Sequence, residues 1–485
     1  MAVIGIDLGT QSLKAVVVDD TLAIRGEACA VYQPAFPQPG WAEQDPAFWL
    51  NALKPAIAGA LQKAGLKPTD IKGVGIAGQL DGCVPTGRDG KAVAPCIIWM
   101  DRRATAEVED LSADLVRDRA GVVLDSTHMA AKIRWAARHL PNAKDVAMWH
   151  QPVSFVVAQL CGRAVMDHAL ASTTMVYGLA ERGYVADLLN AFEIDERQLP
   201  AVDEATATAG LITAAGAELT GLPAGIPIAV DTGDDFANAI GGGVVEPGTV
   251  SCSLGTAEVV GAVHRSVVID RESLVETHGY TGGTYFISNP GWLSGGAVTW
   301  FLSTFSVPCP VTMSDLAGQA TAGCEGLLFL PALSGAMTPR WNSHARGAFY
   351  GLTPFHGTPS LARSVFEGCA FAMRDVVDRL DTMGVATNRI RITGGGARSL
   401  IWPQIRADIT GRPVELPDIT DASPMGAAIL ASVAAGIASS VTAATAALPK
   451  PQRIVEPNLA QRALYDDAYG RYRRLFDALE PMFTP

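Results

Sequence analysis

Charge is scarce along this chain. Only 18% of its residues are Asp, Glu, Lys or Arg, against roughly a quarter in an average soluble protein, so much of the sequence belongs in buried layers and disorder is not expected. No run of lysines or arginines is long enough to track a phosphate backbone, and the formal net charge is −12. Both facts argue against nucleic acid as a partner and favour a small molecule. The eight cysteines, at positions 29, 83, 96, 161, 252, 309, 324 and 369, contain no C-x-x-C pair. They read as reduced thiols of a cytoplasmic protein rather than as a zinc site or a disulfide framework. The opening "MAVIGIDLGT" lacks a basic n-region and reaches Asp7 early, which is not the pattern of a secretory signal. One uncharged run, residues 422–448, is long enough to span a bilayer. Its Ala, Ser, Thr and Gly content, with Gly436 in the middle, instead describes packed helices with small faces, so no membrane partner is expected.

A chain of 485 residues exceeds what one hydrophobic core usually supports, and two domains are the simplest division. The first segment, "VIGIDLGTQSLKAVVVDD", reads as an apolar strand, a tight turn at Leu8-Gly9-Thr10 and a second apolar strand. The layout returns in "GTVSCSLGTAEVVGAVH", where Leu254-Gly255-Thr256 forms the turn. A repeat spaced by about half the chain suggests two similar halves meeting at a cleft, although L-G-T is also a short match that chance supplies. A Gly/Pro stretch at residues 241–249 fits a boundary, giving domains 1–246 and 247–485.

Between these hairpins, helix and strand patterns alternate. Asp45 as N-cap and Pro46 at the first helical position open a helix. "TDIKGVGIAGQLDG" is a strand feeding a loop, and "CIIWMDRRATAEVEDLSADL" a strand, a polar loop and an amphipathic helix. Late in the chain "IRITGGGARSLIWPQIRADITG" reads as strand, glycine loop and helix, and "SPMGAAILASVAAG" as a helix capped by Ser423. The order indicates α/β layers.

Several motifs carry chemistry. Glycine lets a backbone approach an anion, and a threonine hydroxyl with turn amides can donate to phosphate oxygens. Two Gly-Thr turns facing one cleft would hold a polyphosphate from both sides, though each alone is also the sequence of an ordinary hairpin. Asp7 adds a hard oxygen donor suited to Mg²⁺. "TGGGARS", residues 393–399, lacks the G-x-G-x-x-G spacing of a dinucleotide fold. It reads either as a plain tight turn or as a loop on which a planar or anionic ligand packs.

Taken together, "GIDLGT", "GDDFANAIG", "SLGT" and "GGGARS" followed by "WPQIRADITGRPVE" resemble the FGGY family of carbohydrate kinases over nearly the whole chain. "GWAEQDPAFW", "GIAGQLDG", "IIWMDRR" and "FLPALSGAMTPRWN" lie in the family's order, and within the family the motifs look most like those of xylulokinases. The resemblance implies two domains with duplicated actin- and hexokinase-like (ribonuclease H-like) cores around an ATP and sugar cleft. It implies ATP and Mg²⁺ as cofactors and a sugar or polyol as substrate, with a homodimer as an open option. Carried over by position, Asp7 lies near Mg²⁺, and Thr10, Gln11, Gly255 and Thr256 face the phosphates. Gly295 and Gly296 lie near the nucleotide, and Gly395, Gly396, Ala397 and Ser399 beside adenine and ribose. Gln79, Leu80, Asp81, Trp99, Asp101 and Asp235 line the sugar, and Asp234 is the base that takes the proton of the attacking hydroxyl.

The chain departs from the xylulokinase pattern in the sugar loop. It has Gln-Leu-Asp-Gly for Gln-Met-His-Gly, Trp-Met-Asp for Trp-Asn-Asp, and Ala336-Met337 for a charged Glu-Arg pair; Asp231 stands where the pattern has glycine and Asp235 where it has asparagine. A carboxylate at 81 accepts hydrogen bonds from neighbouring hydroxyls and repels an acid group. This favours a neutral ketopentose such as D-xylulose, and leaves ribulose, erythritol and glycerol open. A non-catalytic sensor on the same fold lacks a need for the Asp234 loop, and a nicotinamide oxidoreductase leaves both Gly-Thr turns unexplained.

Overall fold

Two mixed sheets with the same central arrangement lie in the two halves of the chain, in a computed structural model that describes residues 1–230, 232–419 and 421–484. In the first half the strands are β1 (Ala2–Leu8), β2 (Ser12–Asp19), β3 (Ile24–Val31), β4 (Ile71–Gly78), β5 (Thr208–Leu211), β6 (Pro227–Ala229) and β7 (Thr232–Gly233). Their order is β5-β6-β4-β1-β2-β3, with β7 also on β4. The second half contributes β8 (Gly248–Leu254), β9 (Ala257–His264), β10 (Glu276–Gly279), β11 (Tyr285–Leu293), β12 (Thr387–Thr393), β13 (Val414–Leu416) and β14 (Arg453–Val455). Their order is β10-β11-β9-β8-β12-β13-β14. In each sheet the opening hairpin is antiparallel, and its first strand is flanked by a parallel strand that arrives later, β4 beside β1 and β12 beside β8. The repeated L-G-T turns close the two equivalent hairpins.

The central strands are buried on both faces, which is why "AVIGIDL" and "SLKAVVVD" are nearly continuous apolar runs rather than alternating ones. Ile4, Ile6 and Leu8 meet helix α1 (Pro46–Ala64) through Trp49, Leu53, Ala56 and Ile57. This helix starts as the sequence indicates, with the Asp45 carboxylate accepting from Ala47 N at 2.9 Å, and stops at Gly65 in the left-handed region. Further helices that bear on the site are α2 (Met129–His139), α3 (Asp234–Gly241), α4 (Gly295–Thr304), α5 (Thr358–Thr382), α6 (Trp402–Thr410) and α7 (Ala422–Ala434).

The other face of the first sheet is covered by α7, which belongs to the second half. Val3 and Val18 pack with Met425, Ala428 and Ile429. The contact is close enough to demand glycine: a Cβ on Gly5 would lie 1.9 Å from Pro424 O, and one on Gly75 2.0 Å from Ala427 O. The small residues of 422–448 therefore form a helix–sheet seam between the halves. Among the described residues no helix is long and apolar enough to cross a membrane.

Two local expectations are corrected. Ser423 does not cap α7; the helix already includes Ala422, and the Ser423 hydroxyl donates to Asp7 Oδ1 at 3.0 Å. The polar stretch after Trp99 stays a loop with one short turn, and its helix begins only at Ala113, where Ser112 accepts from Leu115 N. Cys29, Cys83, Cys96, Cys252, Cys309, Cys324 and Cys369 are free thiols.

Candidate active site

Ligands of open α/β sheets gather at the carboxyl ends of the strands, and here those ends bring the candidate residues together. Asp7 of β1 is in register with Ala77 of β4, which is in register with Thr232 of β7. The chain leaving β4 carries Gln79, Leu80 and Asp81, and the chain leaving β7 enters α3 with Asp234 and Asp235 in its first turn. A helix N-terminus favours carboxylates there, and Asp235 N donates to Asp234 Oδ1 at 3.0 Å. Asp231 lies outside the described residues.

Crowding of acids decides the electrostatics. Burial raises the Asp7 carboxyl to about 8, helped by the charges of Asp234 and Asp421 and opposed by the Ser423 hydroxyl and Lys14. Lys14 is itself paired with Asp421. Asp234 is raised to about 6 by burial and by Asp81, against hydrogen bonds from its own and the Asp235 amide. Asp235 is pushed well above the carboxylate range by burial, then by Asp234 and Asp81. An oxygen-only, anionic surround that pushes a carboxyl this far up fits a hard divalent cation. Among the described residues no three His, Cys, Asp or Glu side chains converge to hold a metal unaided.

The sugar-side residues are held by polar contacts. Gln79 Nε2 donates to Gln44 Oε1 at 2.7 Å, and Gln44 Nε2 donates to Thr10 O at 2.6 Å, so the loop after β4 is fixed to the first Gly-Thr turn. Gln79 Oε1 is buried without a hydrogen-bond partner, an arrangement costly unless a ligand satisfies it. Trp99, 43% exposed, donates from Nε1 to Thr10 Oγ1 at 3.0 Å. Asp101 is engaged by protein groups: its Oδ2 accepts from Ala42 N at 2.5 Å and from Arg103 Nη2 at 2.7 Å, and its Oδ1 from Arg103 Nε at 2.9 Å. Fully buried, it anchors the loop; Arg103 in turn lies over the Trp41 ring. Ala336 is buried and pairs through its backbone with Asn342, while Met337 O accepts from Asn289 Nδ2 at 3.3 Å.

In the second half three glycine segments form one cradle. Gly295 N donates to Gly255 O at 3.2 Å and Gly296 N to Thr256 O at 2.9 Å, seating the start of α4 on the second Gly-Thr turn. A Cβ on Gly295 would lie 2.2 Å from Gly255 O. "TGGGARS" approaches the same turn from the other side: a Cβ on Gly396 would lie 2.3 Å from Leu254 Cδ2, whereas Gly395 faces open space. Rather than opening a helix directly, the segment makes a short turn over Gly395–Arg398 before α6, with Ser399 Oγ accepting from Trp402 N. Gly255, Thr256 and Gln11 are exposed, Thr10 and Ala397 half-buried.

Sequence reasoning missed the residues that brace this arrangement, Gln44, Gln151, His128, Lys132 and Glu276. Only Gln44 falls in a quoted motif, "GWAEQDPAFW", and each acts on a neighbour distant in sequence. Gln151 Oε1 accepts from Asp81 N at 2.9 Å, and Lys132 Nζ donates to Asp81 O at 2.5 Å.

Comparison with known proteins agrees with this geometry. The N-terminal domain of the FGGY family of carbohydrate kinases matches residues 2–241 and its C-terminal domain residues 250–435. The chain is 30% identical to a xylulose kinase of Escherichia coli (strain K12), over 99% of this chain and all of that one. It is 29% identical to a glycerol kinase of Thermococcus kodakarensis, over 95% and 93%. A solved xyloylose kinase from Brucella ovis superposes with a TM-score of 0.92 at 31% identity, covering 99% of this chain and 100% of that chain. With two sheets built on the same central hairpin and both family domains matched along its length, the chain belongs to the FGGY family of carbohydrate kinases.

Proposed function

We propose that this kinase transfers the γ-phosphoryl group of ATP to a terminal hydroxyl of a neutral ketopentose, first D-xylulose to give D-xylulose 5-phosphate, with Asp234 as the catalytic residue. The observation that carries the reading is the position of Asp234 at the start of α3, beside Asp81 and raised to about 6. A carboxylate poised there is ionised at neutral pH yet basic enough to take a proton late in a loose transition state. The hydroxyl proton passes to Asp234, the sugar oxygen bonds to the γ-phosphorus, and the bond to the β,γ-bridging oxygen breaks to release ADP.

Bound Mg²⁺ would neutralise charge on the phosphates. Asp7 is the residue to hold it, directly or through water. Thr10 and Gln11 from one side, and Gly255 and Thr256 from the other, donate to the phosphates; Gly295 and Gly296 let the nucleotide approach the backbone. Gly395, Gly396, Ala397 and Ser399 flank adenine and ribose. Gln79, Leu80, Asp81, Trp99 and Asp235 form the sugar wall, while Asp101 supports it. In this reading residues 1–246 present the sugar and residues 247–485 the nucleotide, and closure of the cleft excludes water as a competing acceptor.

A smaller polyol is the second reading, favoured by the carboxylate of Asp81 and by the likeness to glycerol kinase. ADP release measured with D-xylulose, D-ribulose, L-ribulose, erythritol and glycerol separates the two. If Asp234→Ala kept most of the activity on the best acceptor, the role given to that residue would be wrong. Mg-ATP binding with no turnover on any acceptor would instead indicate a sensor.

A further inference from the structure

The bracing behind Asp81 crosses from one half of the molecule to the other. Asp81 is 8% exposed and sits at φ 61°, a left-handed conformation that turns the chain sharply after β4. Its Oδ1 lies 3.2 Å from His128 Nδ1, and the other ring nitrogen, Nε2, lies 3.4 Å from Glu276 Oε1 on β10 of the second half. His128 is 5% exposed and Glu276 2%. Neutral imidazole has one N–H and one lone pair, so a ring with a carboxylate oxygen at each nitrogen is satisfied only when doubly protonated. The Asp81 backbone is held independently by Gln151 and Lys132. None of these contacts uses Asp81 Oδ2.

The other charged and titratable groups around the ring are consistent with a cation there. Lys132 on α2 reaches the main-chain oxygens of Asp81 and Thr127. Asp125, in the loop before α2, is lowered in part by the charge of His128 and is paired with Arg102 at 2.6 Å. On β10 His278 Nε2 lies 3.6 Å from Glu276 Oε2, but burial lowers its pKa and leaves it neutral. On α3 Asp234, raised to about 6, adds negative charge near Asp81, whereas burial pushes Asp235 well above the carboxylate range. The two flanking carboxylates raise His128 well above the ordinary range despite burial.

We propose that His128 is the positioning residue for sugar recognition: bridging Asp81 of the first half to Glu276 of the second, it aims Asp81 Oδ2 at a pair of neighbouring hydroxyls on a neutral substrate. The proposal rests on the kinase reading above and extends it in one unexpected direction. Glu276 lies in the nucleotide half, yet its charge supports the sugar, so its loss should weaken sugar binding and leave the nucleotide alone.

The test compares His128→Gln and Glu276→Gln with the unmodified enzyme on the best acceptor of the panel. Each substitution should raise the sugar KM about tenfold, the worth of a hydrogen bond to a charged group, with the ATP KM and kcat within about twofold. The sugar KM of the unmodified enzyme should stay flat near neutrality and rise as pH climbs through the His128 pKa; in Glu276→Gln that rise should come at lower pH. Asp81→Asn combined with His128→Gln should be no worse than Asp81→Asn alone. Parallel changes in ATP KM, or additive losses in the double variant, would overturn the bridge. Nitrogen-15 NMR of labelled histidine in the unmodified protein reads the bridge without turnover. A doubly protonated His128 at pH 7.5 (on the order of one pH unit above free histidine) supports it, and a neutral ring refutes it. Should the enzyme phosphorylate no acceptor, the kinase reading fails while the NMR result still decides the bridge; should a variant fail to fold, the NMR result decides likewise.

Discussion

The ends of β4 and β12 occupy the same place beside the opening hairpins of their two sheets, each parallel to the first strand of its hairpin. The segments that leave these two strands are unlike. After β4 the chain makes a long excursion, from Gln79 to the start of β5 at Thr208, carrying the carboxylate, amide, imidazole and indole groups of the sugar side. After β12 it makes only Gly394 to Ser399 and returns through α6 to the sheet. In the function proposed above, one scaffold would support two kinds of recognition. A sugar is distinguished by the directions of its hydroxyls, which calls for braced side-chain acceptors. A nucleotide offers a flat base and an anionic tail, which bare backbone can meet.

The largest effects should separate the halves cleanly. Asp234→Ala should lower kcat about a hundredfold to ten-thousandfold while Mg-ATP still raises the melting temperature. Gly295→Ala, whose Cβ would press on Gly255 O, should do the reverse and abolish that nucleotide-dependent shift; calorimetry with Mg-ATP checks both. If both variants lost nucleotide binding, the division of labour would be wrong.

Next in size is the pH response. The base role proposed for Asp234 requires it ionised, and it is raised to about 6, so turnover should be full above that value and fall about tenfold per unit below it. In Asp81→Asn the midpoint should move down, because a neighbouring negative charge that favours the protonated form is gone. An unmoved midpoint would detach Asp81 from the base.

The seam between the halves should respond to Gly5→Ala, which sets a Cβ against Pro424 O. Overpacking of this kind costs about 1–3 kcal/mol, measurable by urea unfolding. Smallest are the two turn threonines. Thr10→Ala and Thr256→Ala should each raise the ATP KM a few-fold, as single hydroxyl donors do. Thr10→Ala should also disturb the sugar KM, since its hydroxyl accepts from Trp99, whereas Thr256→Ala should not.

Much of this arrangement was legible in the chain itself because it is local. The paired hairpins appear as two L-G-T turns and the start of α1 as Asp45-Pro46, whereas Asp234 and Asp235, expected in a loop, open a short helix. A strand's period, a cap or a turn is decided by neighbours a few residues away, so sequence carries it. Ser423 shows the limit. A serine before a proline reads as an N-cap, yet it lies one residue inside α7 and turns to Asp7, 416 residues distant in sequence.

The sequence by itself determined the α/β layers, the duplication and the chemical types gathered at the cleft, since these arise from hydrophobic period and short motifs. Only the tertiary structure decided which acids meet one another. It raised Asp7 and Asp234, buried Asp101 against Arg103, and set His128 between Asp81 and Glu276. Those outcomes depend on separation and desolvation between elements far apart in the chain, and no local pattern encodes either.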